Sequence, residues 1–246
     1  MKTKIFRDIL IIATLKSIPD LKRNPSTIVL ISVISGIPLF FMIIFSAQIG
    51  TGIIGAMVST VGFIGLNSAI QDMTWDRYLK IREIVVAMPV HPISYAMGVA
   101  LAPLIVSIPG LLLFMAIALW LGILTLQSLI WSIAILIVCW ATLSSLGFFI
   151  STNLRRANVY TLSNLSNILG LLLSFLPPVY YPEEILGNFS WISIIFPTSN
   201  SASLIRIYSG SLIATTQIII VRWVVLIITM IIFAIITIKE SKWREP

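Results

Sequence analysis

Of the 246 residues, 58% are hydrophobic and only 10% charged, and the mean hydropathy is +1.05. A soluble domain would carry about a quarter charged residues, so the chain reads as an integral membrane protein, and the long apolar runs taken below make its fold class all-α. The net charge of +7 does not point to nucleic acid, because the basic residues sit beside apolar runs, and a single cysteine excludes an internal disulfide.

In chain order, residues 1–25 carry Lys2, Lys4, Arg7, Lys16, Lys22 and Arg23 around Ile5, Phe6, Ile9, Leu10, Ile12 and Ala13. This mixture predicts an interfacial helix ended by Pro19 and Pro25, and its polar first turns do not read as a cleavable signal. Ser26 to about Ser46 is a first span with a kink at Gly36-Ile37-Pro38, and about Gly52 to Ile70 is a second. Gly55, Ser59 and Gly62 fall near one face of the second span, where small side chains let another helix approach.

Asp72 to Pro92 then concentrates charge between two apolar runs, with Asp72, Asp76, Arg77, Lys80, Arg82 and Glu83 together. Each charge costs roughly 2.5–3.5 kcal/mol at a bilayer centre, so this segment cannot span. Asp76 to Met88 nonetheless lacks Pro and Gly, and Tyr78, Ile81, Val85 and Met88 return at helical spacing. A short amphipathic helix at the membrane surface is expected, a lever for another protein to push.

Ile93 to about Gly122 is a third span, interrupted by Pro103 and Pro109-Gly110, and about Ser128 to Ser151 a fourth. About Val159 to Leu176 is the fifth, stopped by Pro177-Pro178. Its polar residues Tyr160, Ser163, Asn164, Asn167 and Ser174 fall mostly on one face, which reads either as a helix interface or as the lining of a substrate path. Residues 179–215 hold two half-apolar pieces on either side of Pro197, each too short to cross, expected to dip into the outer leaflet. About Ile218 to Ile238 is the last span.

Fourteen of the sixteen Lys and Arg lie beside the termini, the Asp72–Pro92 loop and Arg155-Arg156; the other side has Arg206 and Arg222, the latter placed to snorkel outward. This predicts six spans in a single domain, with both termini and the lever on the cytoplasmic side of the plasma membrane. Glu183 and Glu184 in the outer stretch read as solvated helix caps, with pairing to Arg206 or Arg222 as the alternative.

Catalytic signals are absent from the sequence. It contains no phosphate-binding G-x-x-x-x-G-K-[ST] loop, and one histidine, His91, cannot build a His-based metal cluster. Cys139, in an apolar run, reads as packed rather than nucleophilic. The span centres lack the acids and lysines of an ion-coupled carrier. Asn188-Phe189-Ser190 matches a glycosylation pattern too short to decide anything, and Tyr180, Tyr181, Trp191 and Tyr208 read as an interface belt or as sugar-stacking rings.

The whole pattern resembles the membrane-spanning permease of type-2 ABC exporters, the class of daunorubicin-resistance-type and polysaccharide exporters. Arg23-Asn24-Pro25 is similar to the family's basic-x-Pro start of the first span. Asp76-Arg77, Glu83, Ala87-Met88-Pro89-Val90 and Gly98 follow its charged loop, although Lys80-Ile81 stands where the family often has Gly-Thr. Pro182, Pro197, Arg206 and Gly210 resemble its paired outer helices and final Arg-x-x-x-Gly. The resemblance implies a second permease copy, identical or closely related, and a separate ABC-type ATPase that binds ATP and Mg. It also makes Asp76, Arg77, Lys80, Arg82, Glu83, Met88 and Pro89 the coupling residues docked on that ATPase. An ATP-independent carrier or a scaffold subunit is the alternative.

Overall fold

The computed structural model describes residues 2–23, 26, 49–79, 91–154 and 157–240. Among them are seven α-helices, α1 (Lys2–Arg23), α2 (Ile49–Tyr78), α3 (Pro92–Trp120), α4 (Leu126–Asn153), α5 (Val159–Phe175), α6 (Pro197–Tyr208) and α7 (Thr216–Glu240). A 3-10 segment, Glu183–Ile195, lies between α5 and α6 and is kinked at Gly187. The predicted first span and the residues from Lys80 to Val90 lie outside the described residues.

Four of these helices, α2, α3, α4 and α7, are long and apolar enough to cross a membrane. The 17 residues of α5 reach only about 25 Å at 1.5 Å per residue, somewhat less than a hydrocarbon core of about 30 Å. The four are not equivalent. Over its most apolar stretch α2 is 78% buried inside the protein, against 11% for α7. α2 is therefore the axis of the bundle, with α3, α4, α5 and α6 packed around it, while α7 leans on α4 and α6 and leaves an isoleucine-rich face open.

Small residues make that axis possible. A Cβ on Gly147 of α4 would come within 2.7 Å of the Leu66 carbonyl, and one on Gly65 of α2 within 3.0 Å of the Trp140 carbonyl. The two backbones thus touch where either helix would otherwise present a side chain. The ends of α3 and α6 use a shared device. After α3, Gly122 at φ 68° donates to the Leu119 carbonyl, and after α6, Gly210 at φ 79° donates to the Ile207 carbonyl. The next residues, Ile123 and Ser211, reach back to Ala118 and Arg206, which completes the left-handed cap that glycine enters at least cost.

Three expectations are corrected here. α2 does not end near Ile70 but continues to Tyr78, so the charged residues Asp72, Asp76 and Arg77 belong to the span's own helix. Its 30 residues measure about 45 Å, enough to cross and leave the last turns beyond the hydrocarbon. Pro103 and Pro109 do not interrupt α3, and Pro19 does not end α1; in each case the helix passes through the proline. Finally, α6 is not a lipid-dipping piece. Every residue from Pro197 to Arg206 is buried, so it is an internal element of the bundle.

Candidate functional site

Polar side chains gather at three levels along α2. At the end where the charges lie, Asp76 is almost fully enclosed. The Lys16 ammonium of α1 stands 3.1 Å from its Oδ2, and the Tyr95 hydroxyl of α3 donates to that oxygen. Next to it, Arg77 donates to the carbonyl and the hydroxyl of Ser151 on α4, at 2.9 and 2.8 Å. The tip of α2 is thereby tied to three other helices. α1 is held along its length as well, since Ile12 presses on Gly98 of α3, where a Cβ would come within 2.7 Å. On its other side α1 exposes Phe6, Leu10, Ile11, Leu15 and Ile18.

Half-way along α2, Asn67 donates to Oδ1 of Asn167 on α5 and accepts from Ser166, both at 2.8 Å. Gln71 donates to both α5 residues at 3.2 Å. Gly170 brings α5 close, its Cβ position lying 2.8 Å from the Phe63 ring.

At the opposite end of the bundle the assembly is more elaborate. Pro177-Pro178 ends α5, and the chain turns back so that Tyr180 lies in the groove left by Gly55, its hydroxyl bonded to Ser59. Gly62 makes room for Thr198 of α6, whose hydroxyl donates to the Leu173 carbonyl of α5 at 2.6 Å. Arg206, buried in α6, spreads its guanidinium over the carbonyls of Pro178, Val179 and Tyr181. Burial lowers its pKa to about 10, against the opposing pull of Glu183 and Glu184, so it stays charged at neutral pH. Burial likewise pushes the Tyr180 phenol up.

Glu183 is the hub of this region. Its carboxylate accepts from Arg222 of α7 at 2.5 Å, from Ser193 at 2.9 Å and from Ser203 of α6. Arg222 also donates to Asn200 of α6 at 3.2 Å, and Asn200 in turn donates to the Ile194 carbonyl. One buried ion pair thus fastens the 3-10 segment, α6 and α7 to each other. Arg222 does not snorkel and Glu183 is not a solvated cap; the pairing alternative holds for these two, while Glu184 is exposed.

A family model described as ABC-2 type transporter matches residues 10–209, most of the chain and all three polar levels except Arg222. The chain belongs to this family. No curated protein gives a match. An ABC-2 chain is a membrane transport subunit and is not itself the catalyst; the family implies an ABC ATPase partner. Among the described residues no three His, Cys, Asp or Glu side chains gather in a way that could hold a metal ion.

The residues singled out in this ABC-2 chain separate into distinct places. Gly55, Ser59 and Gly62 are used inside the chain, against Tyr180 and α6. On α5, Ser174 is buried, while Tyr160, Asn164 and Asn167 sit at its open edge, Tyr160 with its ring edge against Trp75. Asp76 and Arg77 point into the bundle, and Lys80, Arg82, Glu83, Met88 and Pro89 lie outside the described residues. Of the outer aromatics, Tyr180 is enclosed and Tyr208 stacks on Trp131 at 4.8 Å, leaving Trp191 exposed. Ser193, Asn200 and Ser203 were not anticipated. The signal was the polar run Thr198 to Ser203 among apolar pieces, which, once buried, has to be satisfied internally.

Proposed function

We propose that this chain is the membrane-spanning permease of an ATP-driven exporter and works at the plasma membrane with both termini cytoplasmic. Its partners are a second permease copy, identical or closely related, and a separate ABC-type ATPase that holds ATP and Mg. The cargo is amphipathic or lipid-like, a drug, lipid, peptide or glycan, moved outward. The observation that carries this reading is the family match over residues 10–209. The tethered tip of α2 supports it. The segment that follows Tyr78 is attached to a helix end fixed to α1, α3 and α4, so a displacement there would move several spans together rather than bend one. The open edge of α5, with Tyr160, Asn164 and Ile168, is the surface for the second copy or for cargo.

The test is co-purification of the chain with a nucleotide-binding subunit, followed by a substrate-stimulated ATPase assay on the reconstituted complex with a panel of lipids, drugs and glycans. Glu83→Lys is expected to weaken ATPase binding while membrane insertion stays normal. Arg77 is a poor probe for this purpose, because its reversal would also release α2 from Ser151. Transport of cargo by the permease alone would overturn the reading in favour of an ATP-independent carrier.

A further inference from the structure

α3 and α4 are joined by a short turn, yet they make almost no contact with each other. Tied at that turn, they splay toward their other ends. Between the first half of α3, the second half of α4 and the end of α7 this leaves a half-open cleft of about 360 Å³. Ile93, Ala100, Ala141, Phe148, Ala234 and Ile238 are among its walls, and the lining is carbon almost throughout. The volume is that of a small-ligand site. Because the three helices are membrane spans, the cleft lies at bilayer depth.

An apolar cavity of this kind does not take up water, and a void forfeits the dispersion contacts of every side chain around it. The surrounding bilayer supplies the filler, an acyl chain. The position of the mouth adds a charge preference. Ile93 opens α3 and Ile238 nearly closes α7, so the cleft ends at the membrane face where Lys239 stands. Lys239 is exposed. In the sequence Lys242 and Arg244 follow it, interleaved with Glu240 and Glu245, so the tail keeps a net charge of +1. Neither α5 nor the charged tip of α2 contributes to the cleft, so it is separate from the surfaces considered for coupling and cargo.

We propose that this cleft is a binding site for an anionic phospholipid of the surrounding bilayer. One acyl chain lies between α3, α4 and α7, and the phosphate sits beside Lys239. The lipid provides the packing that α3 and α4 do not give each other.

The test is native mass spectrometry of the full-length chain in mild detergent. Phosphatidylglycerol and phosphatidylcholine of identical acyl chains are supplied together. The wild type is expected to retain one phosphatidylglycerol in preference to phosphatidylcholine. Ala141→Phe and Ala234→Phe, which fill the cleft from two different helices, should each lower that occupancy at least tenfold. Ile220→Phe, on the open face of α7 outside the cleft, should leave it unchanged, and Lys239→Glu should abolish the headgroup preference. Wild-type occupancy in whichever filling variant folds would mean annular lipid only and would overturn the site. Equal retention of the two lipids by the wild type would overturn the anionic assignment.

Discussion

The two ends of α2 solve one problem in different media. At the Tyr180 end Glu183 and Arg222 form an ion pair whose side chains are 16% and 6% exposed, with three hydroxyl or amide partners around it. At the other end Asp76 is as deeply enclosed at 6%, but its cation, Lys16, is 31% exposed. The first pair is a dry clasp and the other a half-wet tether. A charge taken fully out of water needs every partner in place, whereas one that keeps part of its hydration is less dependent on any single contact. The cap formed by the clasp is therefore built to stay shut around α6, while α1 is held on α2 by a contact open to solvent. Under the proposed function, in which the permease is pushed from one side, motion would begin where contacts are cheap to break.

The largest effect should come from the clasp. Arg222→Met leaves the Glu183 carboxylate buried against two serine hydroxyls with no cation bonded to it. Breaking such a pair from one side costs about 3–5 kcal/mol. Equilibrium unfolding of the purified chain in mixed micelles should show a loss of that size. The double variant Glu183→Gln/Arg222→Met should recover most of it, since neither charge then remains. Equal losses in the single and double variants would mean that the residues act through packing and not as a pair.

Asp76→Ala comes next. It removes the acceptor shared by Tyr95 and Lys16 but leaves no buried charge, since Lys16 turns to water. Hydrogen bonds to a charged group are worth about 1.5–3 kcal/mol, and the same unfolding measurement should return a value in that range. A loss as large as that of Arg222→Met would break the distinction between the two ends.

Between the ends, Asn67→Ala should cost less again, on the order of 0.6 kcal/mol for each bond lost to Ser166 and Asn167, because a membrane helix finds other partners. These polar contacts also show what was legible in advance. The bounds of α4, α5 and α7, and a pair of short elements on either side of Pro197, follow from apolar runs, prolines and caps, which are local features. The course of α2 past Ile70 does not. Asp72, Asp76 and Arg77 mark the exit from hydrocarbon, but the backbone continues as helix, with the charges of Asp76 and Arg77 satisfied by Lys16, Tyr95 and Ser151, all distant in sequence. Length alone likewise cannot tell α6 as a lipid-dipping piece from α6 as a buried one. The polar run Thr198–Ser203 carries that information, and Arg222 finds Glu183 across 39 residues.

The smallest effect is also the sharpest test of the comparison. Lys16→Met removes an ammonium that is nearly one-third exposed, so screening by water limits the loss to about 0–1 kcal/mol, with Asp76 still bonded to Tyr95. Salt should do the same without mutation. At 1 M ionic strength the screening length falls to about 3 Å, shorter than the separation of most solvated charges, while a pair excluded from water is screened much less. Raising salt should therefore loosen α1 from α2, measured as faster amide exchange in residues 9–17, and Lys16→Met should show that faster exchange already at low salt. Exchange around Glu183 and Arg222 should not respond to salt in either protein. If those residues responded as strongly as α1, the clasp would be wet, and the two ends of α2 would be alike.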